Sequence, residues 1–477
     1  MKRMEKWVKT WIDQERKNGR KRIEIKKSHN AHYVYDSTTV WNKELKKRKK
    51  CSKYVGRLDR ERGLIKSSKS VVSRIVPRSI WHYGNAIILN HALETILPVL
   101  KQAFPNTWEE LYALALVRIT GYVPLKRVKL KWEQLFNVRN IEPILEPAHL
   151  SEILRLTGID RKAQNTVFST LMGGQHYAFD LSAIFTRSAM NIADLGHNKL
   201  EASIPQVNLV LLSSVDQQLP SMVRVVPGSI RDVSTLITSL SDMKMSEITL
   251  VLDTGFFSDD NMKAMSDSGM RFVLPTRRNS LLYEKIGKEM GGHFFYRERL
   301  IKHSKVHDKD VWLYLFEDTK LKEEEEKTLY RRFDEGKLNK EEFAKSLAKA
   351  GQILMVSNSD MDAKNIFGIY KQREGVEQQF DTFKNTLQAD ILYLQDDESM
   401  FGHIFASFLS LYGYSVLQNL LRKAEILDRV SPTDLIEELS TVYAISDGEK
   451  EIITEVRKKT RILVEKLGTD LFPKLKS

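Results

Sequence analysis

The fold class is decided by five short apolar runs: HYAFDLSAIF (176–185), QVNLVLLSS (206–214), SMVRVVP (221–227), EITLVLD (247–253) and RFVLP (271–275). Each is rich in β-branched and large apolar residues and has the length of a buried strand. Between the third and fourth runs, DVSTLITSLSDM (232–243) has the spacing of an amphipathic helix. Three strands, a helix and two further strands predict a mixed α/β sheet.

Other patterns flank these runs. From about residue 87 to residue 172 the apolar residues recur at helical spacing, which predicts a helical region. Within it, Gly158 lies between two predicted helices as in a helix-turn-helix, although simple helical packing is the favoured interpretation. Residues 277–365 mix strand-like stretches with a charge-dense helical segment, and we interpret them as an insertion in the sheet domain. The apolar stretch 403–421 is interrupted by polar residues and indicates a buried helix rather than a membrane span.

Positive charge is concentrated at the N-terminus. Residues 1–70 hold 23 Lys+Arg against 8 Asp+Glu, whereas the other 407 residues are nearly neutral, with 52 against 54. The densest run, KKRKK (46–50), is flanked by HYVYDSTTVW (32–41) and KYVGRL (53–58), whose composition predicts a hairpin that holds the basic run in its loop. Surrounding tyrosines and Trp41 suit phosphate contacts combined with stacking, so we expect DNA binding by Lys46, Lys47, Arg48, Lys49 and Lys50. The alternative is a solvated basic tail.

Composition excludes several other classes of protein. The single cysteine, Cys51, excludes an intramolecular disulfide framework and a zinc site built on several thiolates. The first residues, MKRMEKWVKTWIDQERK, contain no apolar segment of a secretion signal. We therefore expect a cytoplasmic, nucleoid-associated protein that binds a polyanion and no membrane.

A run beginning at Ile366 predicts a helix with four polar side chains on one face. They are spaced by 3, 4 and 7 residues, which at ~100° per residue confines them to an arc of about 60°: Tyr370, Arg373, Glu377 and Lys384. A carboxylate between two cations fits a site where the acid binds metal and the cations hold phosphates. The alternative is an exposed helix with incidental i,i+4 charge pairs.

Two acids occur where the predicted strands would be buried. Asp180 follows the apolar HYAF and Asp253 ends ITLVL. Acids in such places usually have a partner or a function, and strand ends are where ligands bind in open α/β sheets. Together with Glu377 they would offer three oxygen ligands, which select Mg²⁺ or Mn²⁺ over zinc. The alternatives are a helix N-cap for Asp253 and a structural salt bridge for Asp180.

The stretch YKQREGVEQQFDTFK (370–384) carries the Y-x2-R-x3-E-x6-K signature and resembles the IS4-type DDE transposases. Further similar pieces occur in the same order: FDLSAIF (179–185), PQVNLVLL (205–212), PGSIRDVSTL (227–236), LDTGFFSDDNM (252–262), LPTRR (274–278) and YLQDDESMFGHIFASFLSL (393–411). YVYDSTTVWNKELKKRKK (33–50) and VGRLDRERG (55–63) resemble the IS1634 branch of that family.

This resemblance implies a ribonuclease-H-like mixed-sheet catalytic core in which Asp180, Asp253 and Glu377 form the DDE triad and bind two Mg²⁺ or Mn²⁺ ions. By the same resemblance Tyr370, Arg373 and Lys384 contact DNA near the scissile phosphate. Trp312 in the insertion would stack on a flipped base, although a core tryptophan is the favoured interpretation. His403, ahead of a buried helix, is interpreted as structural rather than as a proton shuttle.

The expected organisation has five parts: a basic β-hairpin-like arm that binds DNA (1–75), a helical DNA-binding region (76–172), the DDE core (173–276 and 366–425), the insertion domain (277–365) and a helical C-terminal tail (426–477). The expected function is that of an insertion-sequence transposase. It would act on double-stranded DNA, both transposon ends and target, as a homodimer in the synaptic complex. The alternatives are an inactive or domesticated DNA-binding derivative and a ribonuclease-H-like nuclease.

Overall fold

The structure is a computed structural model that describes residues 5–28, 31–42, 47–66, 77–186, 190–194, 205–229, 233–243, 245, 247–287, 289–390, 394 and 396–468. The chain divides into two compact units. One comprises Met1–Ser79 with Ser446–Glu451, and the other comprises Ile80–Ile445 with Ile452–Ser477.

The N-terminal unit is a four-stranded antiparallel sheet with one helix. Its elements are α1 (Lys6–Lys17), β1 (Ile23–Ser28), β2 (Ala31–Asn42), β3 (Lys47–Asp59) and β4 (Gly63–Lys66), and the strand order is β1-β2-β3-β4. A small core forms where Val8 of α1 packs against Val34 and Leu58 of the sheet. The unit therefore buries one face of the sheet beneath α1, as a half-buried antiparallel sheet requires.

β2 and β3 pair antiparallel as a hairpin, but the predicted position of the basic residues in its loop is wrong. Lys47, Arg48, Lys49 and Lys50 are the first residues of β3 and pair with residues 39–42 of β2. All four side chains are exposed, so the strand can extend its backbone hydrogen bonds without burying charge. Lys46 lies outside the described residues.

The remaining helices are α2 (Gly84–Ala92), α3 (Leu97–Ala103), α4 (Trp108–Arg118), α5 (Leu125–Glu133), α6 (Pro147–Ile159), α7 (Arg161–Leu171), α8 (Ser234–Asp242), α9 (Asp259–Asp267), α10 (Leu282–Ile286), α11 (Thr319–Asp334), α12 (Lys340–Leu347), α13 (Ala363–Gln372), α14 (Glu374–Asp381), α15 (Asp397–Lys423), α16 (Pro432–Leu439) and α17 (Lys458–Lys466). The remaining strands are β5 (Ser79–His82), β6 (His176–Phe185), β7 (Gln206–Ser214), β8 (Leu219–Pro227), β9 (Thr249–Val251), β10 (Arg271–Pro275), β11 (Gly292–Tyr296), β12 (Arg299–Asp308), β13 (Val311–Asp318), β14 (Gln352–Ser357), β15 (Tyr443–Ser446) and β16 (Glu451–Ile453). A small sheet has the order β16-β15-β5.

A nine-stranded mixed sheet dominates the second unit, in the order β11-β12-β13-β14-β10-β9-β6-β7-β8. The predicted three strands, helix and two strands are confirmed as β6, β7, β8, α8, β9 and β10. β6 pairs antiparallel with β7 and parallel with β9, and β9 is also parallel to β10. This mixed α/β arrangement places β6 between β9 and β7, and the last residue of β9, Val251, lies beside Ala178 of β6.

The strands of residues 277–365 continue this sheet. β14 pairs antiparallel with β10, and β13, β12 and β11 follow outward. The apolar β14 covers the edge of β10 that would otherwise expose unpaired backbone groups. The block thus adds its strands to the central sheet instead of forming a separate one, and its status as an insertion domain stays a prediction.

The helix α15 lies in the core. By length and composition, it is the only helix in the described part of the chain that could cross a membrane. Its most apolar 18-residue stretch is 89% buried inside the protein. It packs against α6, β8 and α4, as the prediction of a buried helix requires. Two glycines allow the closest approach: a Cβ on Gly402 would lie 1.8 Å from the Leu154 carbonyl oxygen, and one on Gly158 would lie 1.8 Å from that of Glu398. Gly158 therefore serves helix packing, the favoured interpretation.

Candidate active site

Asp180 lies within β6, and Asp253 follows the neighbouring parallel strand β9 at the same level. Ala178 of β6 pairs with Val251 of β9, so Asp180 and Asp253, each two residues further on, follow equivalent positions. Because side chains alternate along extended chain, residues at equivalent positions of adjacent strands are directed to the same face. Parallel pairing thus brings together two carboxylates that are 73 positions apart in the sequence.

The third acid arrives on a helix that packs against β6 and β7. Glu377 is in the first turn of α14, whose buried side includes Val376 and Phe380. These apolar residues belong to the side of the helix that packs against the sheet. Glu377 itself faces outward, with its side chain 56% exposed.

The predicted single helix is interrupted twice. α13 ends at Gln372 and α14 begins at Glu374, because the Arg373 amide donates to the Tyr370 carbonyl three residues back instead of to the carbonyl four back. After α14, Thr382–Thr386 forms a π-helical turn, which rotates each residue by less than an α-helix does. The prediction that all four polar residues lie on one continuous helix is therefore wrong, although the first three still gather at one site.

The Arg373 guanidinium lies at the meeting point of the three acids. Its Nη2 donates to Glu377 Oε1 at 2.7 Å and is 3.9 Å from Asp253 Oδ1, while its Nη1 is 4.0 Å from Asp180 Oδ2. The arginine side chain is 10% exposed, and its buried Nη1 has no hydrogen-bond partner. One cation thus compensates three carboxylates without satisfying all of its own donors.

Burial and the neighbouring charges shift the pKa values of Asp180 and Arg373 for different reasons. Burial raises the pKa of Asp180 to about 6, against the Leu181 amide and Arg373, which lower it. For Arg373, burial opposes the charged form, but the carboxylates of Asp253, Glu377 and Asp180 outweigh it and raise the guanidinium pKa. Burial therefore favours the protonated form of Asp180, whereas the arginine stays charged.

Tyr370 and Lys384 occupy different places around the cluster. The Tyr370 ring centroid is 5.9 Å from the Arg373 guanidinium carbon, and burial raises the pKa of its phenol. Lys384, in the π-helical turn, donates from Nζ to the Ala183 carbonyl of β6 at 2.6 Å. The lysine therefore holds the strand three residues beyond Asp180. No feature of the sequence predicted this bond, because its acceptor is a backbone carbonyl.

Both structural alternatives are also present. The Asp253 side chain accepts a hydrogen bond from the Thr254 amide at 2.7 Å and caps the 3-10 turn Thr254–Phe256. Asp180 accepts one from the Leu181 amide at 2.8 Å in addition to its long approach to Arg373. These bonds use one oxygen of each carboxylate and hold the side chains in place, which leaves oxygens available to a cation.

Oxygen donors of this kind fit a hard divalent metal ion, because Mg²⁺ and Mn²⁺ prefer carboxylate ligands. Within the described ranges no set of three or more His, Cys, Asp or Glu side chains is already arranged to hold a metal. The Arg373 guanidinium instead lies among the three acids, and its Nη1 has no hydrogen-bond partner.

Other predicted residues lie elsewhere. Trp312 of β13 is half-buried, with the Lys305 ammonium 4.3 Å from its ring centroid and the His307 ring 4.6 Å away. His403 is buried between Arg118, whose Nη1 donates to its Nδ1, and the Ala389 carbonyl, which accepts from its Nε2. Burial and the Arg118 charge lower the His403 pKa to about 3, which keeps it neutral and agrees with a structural role.

Residues 184–412 match the model of the family described as Transposase DDE domain. This range contains Asp253, Arg373 and Glu377 and begins four residues after Asp180. Among solved structures the chain is similar to piggyBac transposase in the cryo-EM structure of its synaptic complex with hairpin DNA, with 13% identity over 75% of this chain and 70% of that chain and a TM-score of 0.36. No curated protein matches the sequence. The chain carries a DDE catalytic domain and is a DNA transposase, an enzyme that cleaves and joins DNA strands with the help of divalent metal ions.

Proposed function

We propose that this transposase is of the IS4 type, in the IS1634-like branch, and mobilises an insertion sequence. It binds the terminal inverted repeats, cleaves the strands at the element's ends and joins them to target DNA. The observation that carries the proposal is the approach of Asp180, Asp253 and Glu377 to one guanidinium, which belongs to the arginine of the Y-x2-R-x3-E-x6-K signature. A ribonuclease-H-like core is supported by the mixed order of β8, β7, β6, β9 and β10.

The three carboxylates would hold two Mg²⁺ ions, or Mn²⁺ in their place. When bound, such a pair activates the attacking oxygen and stabilises the leaving oxygen of a phosphodiester in an in-line displacement. Asp180 and Asp253 supply ligands from adjacent strands whose backbone amides already orient them. Glu377 supplies its carboxylate from a helix that the sheet fixes in place, so the ligand set is held by rigid elements.

Arg373 would exchange partners when DNA enters. Its planar guanidinium matches a phosphate as well as a carboxylate, and its charge persists at all working pH values. Tyr370 packs beside it and restricts where the guanidinium can move. Lys384 acts as a positioning residue, because its bond to the Ala183 carbonyl holds β6 next to Asp180.

The reaction would proceed in two displacements at phosphorus. A water molecule first attacks the phosphodiester at the element's end, forms a new P–O bond and releases the 3′ oxygen, which takes up a proton. The 3′-hydroxyl then attacks a phosphodiester of target DNA, or of the opposite strand to form a hairpin. Each step breaks one P–O bond and forms one, so no covalent enzyme intermediate is needed.

The other parts of the chain would bind and assemble the DNA. The N-terminal arm and the helical region 76–172 contact the terminal repeats, and residues 277–365 act as the insertion domain of the core. A homodimer would hold two ends together in the synaptic complex. Trp312 would reach a flipped base only after Lys305 or His307 moved away from its ring.

The proposal is tested by incubating the full-length protein with labelled duplexes from the flanks of its gene, a target plasmid and Mg²⁺. Wild type is expected to give products in which labelled ends are covalently joined to the plasmid. Glu377→Gln is expected to bind the duplexes normally and give neither cleavage nor joining. Glu374→Gln is the matched control, because Glu374 is exposed on the same helix one turn earlier and should leave both reactions intact.

Two results would overturn the proposal. Cleavage without joined products would identify a nuclease on the same core. Normal binding of the duplexes by wild type without Mg²⁺-dependent cleavage would identify a DNA-binding derivative. If Glu374→Gln lost activity as Glu377→Gln does, the assignment of the triad itself would be wrong.

A further inference from the structure

The hairpin of the N-terminal unit extends beyond the rest of its sheet. β1 pairs only with residues 31–36 of β2, and β4 pairs only with residues 56–59 of β3. Beyond these points residues 37–42 and 47–52 form a ladder with each other, and the Ser37 amide also donates to the Arg22 carbonyl. We call this two-stranded segment the distal ribbon. Six residue pairs at ~3.3 Å each make it about 20 Å long.

The distal ribbon is exposed and basic. Every residue from 47 to 52 is exposed, and on the opposite strand Val40 and Trp41 are 52% and 57% exposed. The ribbon has four basic residues and no acidic one. An isolated two-stranded ribbon is only marginally stable in water, so its length and its exposed apolar residues indicate a surface that binds a partner.

Its two faces differ in the contacts they can make. Alternation and the cross-strand register put Trp41, Arg48 and Lys50 on one face and Val40, Lys49 and Cys51 on the other. Lys50 is held by Glu24 at 2.7 Å. Among the described residues no carboxylate pairs with Lys47, Arg48 or Lys49. Each face therefore carries at least one cation that no acid of the described residues compensates, which favours a polyanion as the partner.

We propose that the distal ribbon enters the major groove of the transposon-end duplex, with the Trp41 and Arg48 face toward the base edges and Lys47 and Lys49 toward the phosphates. This inference rests on the proposed function, because the ligand is the DNA that the transposase recognises. The major groove is about 12 Å wide and admits a two-stranded ribbon, whose central side chains then reach base edges. An arginine there can donate two hydrogen bonds to guanine O6 and N7.

The packing of the tyrosines disfavours single-stranded DNA as the ligand. Nearer the base of the hairpin, the Tyr54 ring lies 5.4 Å from Tyr35 and 6.0 Å from Tyr33, and the Lys26 ammonium lies 4.7 Å from the centre of the Tyr35 ring. Binding of single strands uses several open aromatic faces on which successive bases stack. Here the tyrosine rings pack on one another and on a lysine, which leaves Trp41 as the one widely exposed aromatic side chain of β2.

The test uses full-length protein and a duplex that the wild type selects from a random-sequence pool. Arg48→Ala/Lys49→Ala should raise Kd about tenfold or more and reduce the salt slope of log K by about one to two. The control Lys6→Ala/Lys9→Ala removes the same charge from exposed positions on α1 of the same unit. The control should keep Kd within about threefold of the wild-type value, because the Lys6 and Lys9 charges are not expected to contact the duplex. Both variants should keep the wild-type Tm.

The groove is identified separately. Methylation of guanine N7, which lies in the major groove, should interfere with wild-type binding at one or more guanines, and Arg48→Ala should lose part of that interference. Cys51 is the only thiol of the chain, so an iron chelate attached to it should cut the bound duplex beside those same guanines.

Three results would overturn the inference. They are equal losses of affinity in the two double variants, no effect of N7 methylation together with displacement by a minor-groove ligand, and tighter binding of the single strand than of the duplex. None of these would affect the proposed function, since metal-dependent cleavage by wild type and its loss in Glu377→Gln report on the catalytic site alone.

Discussion

Arg373 donates a hydrogen bond to the Glu377 carboxylate across 2.7 Å, one helical turn apart, although a break between two helices falls at the arginine itself. The same guanidinium lies within 4.0 Å of Asp180 and Asp253. The arginine therefore neutralises the acids that the proposed metal ions would bind. Under the proposed function, a metal ion bound by the three acids would compete with Arg373 for carboxylate oxygens.

Arg373→Gln should bind Mn²⁺ more tightly than wild type in the absence of DNA, because a neutral amide no longer competes for the carboxylates. Without metal the variant should be less stable by about 1–3 kcal/mol, since the acids lose their counter-ion. Calorimetric titration and the rise of Tm with Mn²⁺ measure both effects. Arg271→Gln, which removes an exposed arginine of β10, is the control and should change neither. Equal Mn²⁺ affinity in Arg373→Gln and wild type would contradict the competition.

Two substitutions of Asp253 should separate its structural bond from its proposed catalytic role. Asn can still cap the turn Thr254–Phe256, so Asp253→Asn should keep the wild-type stability, whereas Asp253→Ala should lose about 0.5–2 kcal/mol. Both should reduce strand cleavage more than about 100-fold, because neither supplies an anionic ligand. Thermal unfolding and cleavage of a labelled duplex are measured side by side. An Asn variant with near-normal cleavage would restrict Asp253 to capping.

The stability difference between Asp180→Asn and wild type should depend on pH. Because the folded pKa of Asp180 is about 6, above its usual 3.8, the folded state prefers the protonated acid. The stabilising contribution of Asp180 to the wild-type free energy of unfolding is fully present below pH 3.8 and is lost as pH rises through about 6. Above that pH the free energy of unfolding of Asp180→Asn should increase relative to that of wild type by on the order of 2–3 kcal/mol. Tm values of both proteins from pH 4 to pH 7.5, without metal, give the difference. A constant difference across that range would mean that Asp180 is not buried as described.

Substitution of the glycines in the α6–α15 contact should be severe. In Gly402→Ala the new methyl would meet the Leu154 carbonyl oxygen at 1.8 Å, which forces two backbones apart. Overpacking of this kind costs about 1–3 kcal/mol or more, so a clear fall in Tm is expected. Gly368→Ala on α13 is the matched control, because no atom lies within 4 Å of its added Cβ. It should be neutral or stabilising by about 0.5–1 kcal/mol. A similar Tm for both variants would mean that the helices can separate without cost.

Local patterns in the sequence predicted much of the fold. Continuous apolar runs marked β6, β7, β8, β9 and β10, since strands buried on both faces need apolar side chains throughout. Helical periodicity marked the region where α2 to α7 lie. The basic hairpin was recognised from strand-like composition, but its lysines were misplaced, because nothing local distinguishes an exposed basic strand from a basic loop.

Other features depended on contacts between distant residues. That β14 pairs with β10 depends on which strand edge is left uncovered, which no local pattern records. The break at Arg373 and the π-helical turn depend on backbone hydrogen bonds that side-chain periodicity does not report.

The sequence alone determined which residues could carry the chemistry: two acids within or at the end of buried strands and an acid between cations in a helical run, because residue type and spacing are local properties. Only the tertiary structure decided how they meet. Parallel pairing of β6 with β9 and the docking of α14 on the sheet bring three carboxylates from residues 180, 253 and 377 around Arg373. The physical reason is that charge compensation depends on the distances between the charged groups. Those distances are set by how the apolar strands and helix faces pack when they are buried.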